Sequence, residues 1–195
     1  MIIMKRILFS IMVSLLSLTS FAQTQSPHMT FKGVPIDGTY NSFVTKLKQK
    51  GFKQDLSDRR VLKGSFAGYS DCNIIPQYDT DKDLVYGVGV IFQETNSWQT
   101  LYTNYSSLKR MLTIKYGEPL SEIEEFQHPY SADDDNSKIY EVKMGRSNFN
   151  TLFANEKGQI YLKICEVEHL ICYVMLIYVD NQNMEIINGD AMDDL

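Results

Sequence analysis

The sequence predicts an α+β fold in two tandem units, each with helix packed on antiparallel sheet. Three observations carry that expectation. Helical periodicity is concentrated in residues 40–51 and 97–116, and runs of neighbouring strands follow each stretch instead of alternating with helices one for one. Each half closes on a long apolar run, residues 84–92 and 171–179, followed by an acidic or amide-rich segment. An offset of 87 residues aligns Tyr86 with Tyr173, Val88 with Met175, Val90 with Ile177, Phe92 with Val179 and Asn96 with Asn183, which reads as a degenerate repeat. The units are residues 23–96 and 97–183, with 184–195 an acidic C-terminal tail.

In chain order, residues 1–22 read as a signal peptide. Lys5 and Arg6 precede an apolar stretch from Ile7 to Leu18, and Ser20-Phe21-Ala22 supplies a small-x-small cleavage site. With Ser10, Ser14 and Ser17 interrupting it, the stretch falls short of the ~20 apolar residues that span a bilayer. The expectation is an exported protein, periplasmic or extracellular, with no integral membrane segment after cleavage. Removing 22 of 195 residues leaves 173, enough for one ordinary domain or two small ones.

Helix one follows Thr39 as N-cap, with Tyr40, Phe43, Val44 and Leu47 on one stripe, Gly51 as its stop and Phe52 as the accompanying apolar contact. Strands are expected over residues 61–66, 69–75 and 84–92, with Pro76 placing the end of the second at a sheet edge. Helix two starts at Asn96 or Ser97, carries Trp98, Leu101, Tyr102, Tyr105, Leu108, Leu112 and Tyr116, and ends at Gly117 before Pro119. Residues 137–145 fit both periods. The acids at 133–135 before them and Lys143 and Arg146 after them suit a helix dipole, so a short helix is expected. Residues 148–154 and 159–166 form a hairpin across Asn155-Glu156-Lys157-Gly158, with glycine supplying a positive φ, and the last strand is 171–179.

Charge narrows the partners. Without Lys5 and Arg6 of the leader, 17 basic residues stand against 24 acidic ones, a net −7. That balance repels phosphate backbones and anionic lipid, so no nucleic acid is expected. Between residues 39 and 63, seven cations (Lys46, Lys48, Lys50, Lys53, Arg59, Arg60, Lys63) face only Asp55 and Asp58. Acids gather instead at 118–135 and in the tail from 180. Solvated faces explain such runs, with steering of a charged partner or head-to-tail self-association as the sharper reading.

Chemistry-bearing patterns are sparse. His28, His128 and His169 are scattered, have no zinc spacing, and read as solvated loop residues. Gly64-Ser65-Phe66-Ala67-Gly68 misses the nucleophile-elbow spacing, and Gly87-x-Gly89 lies in a strand, where its glycines permit close approach of a neighbour. Residues 79–83 alternate Asp as in a calcium loop, but Leu84 and Val90 occupy the positions of the required glycine and glutamate, so a polar turn is expected. No catalytic, cofactor or metal residue is assigned. Cys72, Cys165 and Cys172 are odd in number. A four-residue tip would let Cys165 and Cys172 bridge, a two-residue tip would not, and free buried thiols are the alternative.

An antiparallel sheet with one wet face should alternate polar with apolar, yet residues 84–92 and 171–179 are apolar on both sides. Either both faces are covered or one is left for a partner, and Tyr69, Tyr161 and Tyr178 are the candidate interaction residues. The runs Phe31-Lys32-Gly33-Val34-Pro35-Ile36-Asp37-Gly38, Leu62-Lys63-Gly64-Ser65-Phe66-Ala67-Gly68, Tyr116-Gly117-Glu118-Pro119, Gly158-Gln159-Ile160-Tyr161-Leu162 and Tyr178-Val179-Asp180-Asn181-Gln182-Asn183 together resemble uncharacterised exported proteins of Gram-negative bacteria. The helix-then-sheet repeat is similar to the β-lactamase-inhibitory-protein-like architecture. That resemblance implies a saddle of tandem units whose sheet grips another protein, without catalysis. The expected function is therefore a non-catalytic module binding an unidentified protein or peptide through a sheet face. An exported hydrolase or lyase using loop carboxylates, or a self-associating envelope protein, are the alternatives.

Overall fold

In the computed structural model, described over residues 27–127, 132–168 and 170–193, a two-stranded hairpin, four helices and an eight-stranded antiparallel sheet form an open α+β fold. The signal peptide expected at 1–22, together with His128 and His169, lies outside the described residues. The elements are β1 (Thr30–Phe31), β2 (Val34–Pro35), α1 (Tyr40–Gln49), β3 (Lys53–Gln54), β4 (Leu62–Phe66), β5 (Tyr69–Asp79), β6 (Leu84–Ile91), α2 (Trp98–Tyr116), β7 (Ser121–Phe126), α3 (Asp135–Lys143), β8 (Ser147–Asn155), β9 (Gly158–Val167), β10 (Ile171–Asp180) and α4 (Asn181–Asp193). The large sheet runs β3-β4-β5-β6-β10-β9-β8-β7. The two long apolar strands, β6 and β10, therefore meet antiparallel at its centre. No helix among the described residues is long and apolar enough to cross a membrane.

Local chemistry sets the helix ends. Thr39 Oγ1 accepts from the Ser42 amide at 3.3 Å at the start of α1. At its close the Phe52 amide donates to Leu47 O and the Gly51 amide to Lys48 O, a Schellman stop that needs the φ of 96° at Gly51. Ser97 caps α2 by accepting from Thr100 N, and Gly117 ends it at φ 87°. The short helix expected near 137–145 is present as α3, capped by Asp134, whose carboxylate accepts from the Ser137 amide at 2.8 Å.

One face of the sheet carries the core. Phe43, Val44 and Leu47 of α1, Leu101, Tyr105, Leu108 and Leu112 of α2, and Val142 of α3 are buried with Ile74, Val88, Val90, Phe153, Ile160, Leu162, Val174 and Leu176. Tyr105 is wholly buried, and its hydroxyl shares a 2.6 Å hydrogen bond with Thr151 Oγ1, which meets the cost of burying both. Burial pushes the phenol up to about 12, so it stays neutral.

Glu141 of α3 is buried and holds Arg146 through two hydrogen bonds, at 2.6 and 2.9 Å. The guanidinium keeps this carboxyl below the usual range. A depressed carboxyl contributes stability that is present above its unfolded value of about 4.3 and is lost as pH falls through the lower folded value. Urea midpoints of the wild type should therefore drop between pH 5 and acid, and Glu141→Gln should flatten that slope while lowering the neutral-pH midpoint. An unchanged slope would show that the pair is not linked to folding.

Several expectations are corrected. Gly158 does not have a positive φ, because the carboxamide of Asn155 closes the turn by accepting from Lys157 N and Gly158 N. Glycine is required there for space, as a Cβ would lie 2.1 Å from Val179 O. Strand β5 continues past Pro76 to Asp79, since β4 pairs no further than Ile74 and leaves that side of the proline without a strand. The acidic stretch at 118–135 contains an edge strand, β7, and the amide-rich run after Asp180 is the start of α4, not a loop. The offset of 87 does not hold in side-chain phase: Val88 and Val90 face the helices, whereas their aligned partners Met175 and Ile177 face the other way.

Candidate interaction face

The second face of the sheet is built by the alternate residues of the same strands. Register places Ile75, Gly89, Ile177, Tyr161 and Leu152 side by side in one row across β5, β6, β10, β9 and β8. A second row runs Asn73, Ile91, Met175, Lys163 and Asn150. Apart from the two glycines of β6, which are buried, these side chains are part-exposed, while their neighbours in sequence are sealed under the helices. The question posed by the doubly apolar strands is thus answered by geometry: they are central, covered on one face and open to contact on the other.

Gly87 and Gly89 lie on this face of β6, Gly87 between Gln77 and Val179 and Gly89 between Ile75 and Ile177. A Cβ at Gly87 would meet Tyr178 O at 2.8 Å, as the close-approach expectation required. At Gly89 the nearest atom would be Ile75 O at 3.7 Å, an ordinary contact, so that glycine is not demanded by packing. In the second row, the amide oxygens of Asn73 and Asn150 are closed off from solvent without a hydrogen-bond partner. Such acceptors cost about 1–3 kcal/mol each when left unmet.

Of the three tyrosines expected to form an interaction face, only Tyr161 lies on it, its hydroxyl donating to Gln159 Oε1. Tyr178 is 4% exposed and packs edge-on against Phe31 and Phe66 under the helices. Tyr69 also turns to the helix side, with its ring against Phe92 and its phenol hydrogen-bonded to Ser107 of α2. Both are corrections, and their causes differ: period two sends residue 178 to the core, whereas at residue 69 an irregularity in β5, where Asp71 takes a φ of 53°, shifts the phase relative to Asn73 and Ile75. Ile75, Ile91, Leu152, Met175 and Ile177 were missed as face residues. The strict alternation of β10, once phased on Tyr178 as buried, would have found Met175 and Ile177.

The cysteine bridge is not formed. All three thiols are free, and the β9–β10 register sets Cys165 opposite Tyr173 and Cys172 opposite Glu166, so the two cysteines point to opposite faces. Burial pushes the Cys165 thiol up to about 11, so this thiol is no nucleophile at neutral pH. His28 is not a solvated loop residue. Its Nδ1 lies 3.1 Å from the buried carboxylate of Asp180, which also accepts from Met29 N at 2.6 Å and Asn183 N at 2.9 Å. The Asp79 carboxylate is taken up by the backbone amides of Asp81 and Lys82, as a polar turn requires. No group of three or more His, Cys, Asp or Glu with metal-holding geometry occurs among the described residues.

Among the described residues, several carboxylates are taken up by cations. Glu122 and Glu124 of β7 converge on Lys109 of α2, at 3.0 Å for Glu122, with Tyr102 hydroxyl donating to Glu124 at 3.1 Å. Burial alone would lower the Lys109 ammonium, but its hydrogen bonds to the two glutamates outweigh that and hold it above its ordinary range. Asp55 is held low by Lys63, Asp58 by Arg60 and Asp134 by the Ser137 amide. Each of these is an ionised surface group with its partner in place. No protein-family model matches this chain, and neither a curated protein nor a solved structure matches it.

Proposed function

We propose that the chain is an exported, non-catalytic binding module that recognises a protein or peptide through the open face of its sheet. The observation that carries this reading is the pair of rows centred on Ile75, Ile177, Tyr161 and Leu152, part-exposed on the one sheet face away from the packed helices. Tyrosine and aliphatic side chains on a rigid sheet suit the desolvated centre of an interface. One continuous sheet with its helices on one side accords with the β-lactamase-inhibitory-protein-like resemblance. A repeat origin, in which two units join through β6 and β10, belongs to the same reading, as do signal cleavage and periplasmic or extracellular residence.

Site-specific photo-crosslinking tests it. A crosslinker at Tyr161 or Leu152 should trap one recurrent species in the native envelope or culture fluid. One at Ile114, an exposed position on α2, should not. Ile177→Lys should abolish the adduct while the melting temperature falls by no more than a few degrees, on the order of the ΔΔG of a surface change. Equal trapping from Ile114, or none from the sheet positions, would overturn the assignment.

A further inference from the structure

On the helix side, where β10 passes under the last two turns of α2, the packing leaves a cavity of about 250 Å³. Its walls are Phe66, Leu108, Leu112 and Leu176, and no acidic side chain lines it. Two polar groups reach it. The first is the phenol of Tyr178, 96% buried by its 4% exposure, whose hydroxyl has no hydrogen-bond partner among the described residues. That hydroxyl is not among the polar atoms closed off from solvent, so it opens on the cavity, where a ligand can meet it. The second is Lys115, exposed at the rim, with its ammonium 4.8 Å above the Tyr116 ring and no carboxylate against it. Tyr116 lines the same cavity and lies near enough to Tyr178 to act on its phenol.

We infer that this cavity binds a small amphipathic monocarboxylate, with its apolar body between α2 and the sheet and its carboxylate toward Lys115 and the Tyr178 hydroxyl. The cavity is smaller than the roughly 300–1,000 Å³ of drug-sized sites, which sets the ligand at the scale of a short-chain or medium-chain acid. A single charge is favoured over a phosphate dianion. One ammonium faces the site and no arginine does. The site is separate from the open sheet face, and its occupancy does not depend on that face binding a partner.

The test is titration of the purified chain with octanoate and, separately, with 1-octanol, followed by methyl NMR and calorimetry. Octanoate should saturate one site, shift the methyl signals of Leu108, Met111, Leu112 and Leu176, and bind about tenfold more tightly than the alcohol, the scale of one charge-assisted hydrogen bond. Lys115→Met, a change at an exposed position that leaves the fold intact, should bring octanoate down to the affinity of octanol. Tyr178→Phe, which keeps the ring, should weaken octanoate in a folded protein. Absence of saturation at millimolar octanoate, shifts at other methyls, equal affinity for acid and alcohol, or an unchanged Lys115→Met would each overturn the assignment.

Discussion

Asp180→Ala is expected to remove about 3–5 kcal/mol of stability, read by urea denaturation at neutral pH. This carboxylate is fully buried at the end of β10, yet every contact it makes is a donor: Met29 N, Asn183 N and the ring of His28. Truncation leaves two buried amides without acceptors and frees the segment that precedes β1. It also undoes the start of α4, because Asn183 is held there in turn. The Asn183 amide nitrogen donates to Ile36 O at 3.0 Å and to Val85 O at 2.8 Å, so one amide ties α4 to β6 and to the segment after β2. Asp180→Asn keeps one carbonyl acceptor and should lose roughly half as much. His28→Ala removes one partner at the rim and should cost about 1 kcal/mol. A loss under about 1 kcal/mol for Asp180→Ala would mean that water replaces the carboxylate freely and that this corner does not organise the fold.

The corner marks where sequence reasoning stopped. Capping residues are local, so Thr39, Gly51, Ser97, Gly117 and the acids before α3 could be read directly. The long strands were legible from their apolar runs, and so was the antiparallel α+β class. What failed depended on which face each residue takes once strands from distant parts of the chain are in register. Tyr178 and Tyr161 are both strand tyrosines, and only the β9–β10 pairing shows that one is core and the other is not. Edge strand β7 is nearly all polar and acidic, so its sequence carries no apolar period, and its order comes from pairing with β8 and from Lys109 reaching Glu122 and Glu124. The role of Asp180 required contacts across 151 residues, to Met29, which no local pattern encodes.

The same limit explains the glycine in the β8–β9 turn, and it yields a contrast that can be measured. Gly158 has an ordinary backbone conformation, and the turn is closed by Asn155, so local rules would permit alanine. Register forbids it. Gly158 sits opposite Asp180, and its missing Cβ would lie 2.1 Å from Val179 O, a backbone atom fixed between β9 and β6. The Met29 methyl, 3.0 Å away, could swing aside, but a carbonyl in the sheet cannot do so without breaking the pairing that holds β10. Gly158→Ala should therefore cost about 3 kcal/mol or more, through displacement of β9 from β10. Gly89→Ala provides the control within the same sheet, because its Cβ would meet nothing closer than 3.7 Å and alanine loses less backbone entropy on folding. That variant should stay within about 1 kcal/mol of wild type. If Gly158→Ala proves as stable as Gly89→Ala, the two strands do not approach as closely as the register requires, and the placement of Asp180 beside them would have to be revised with it.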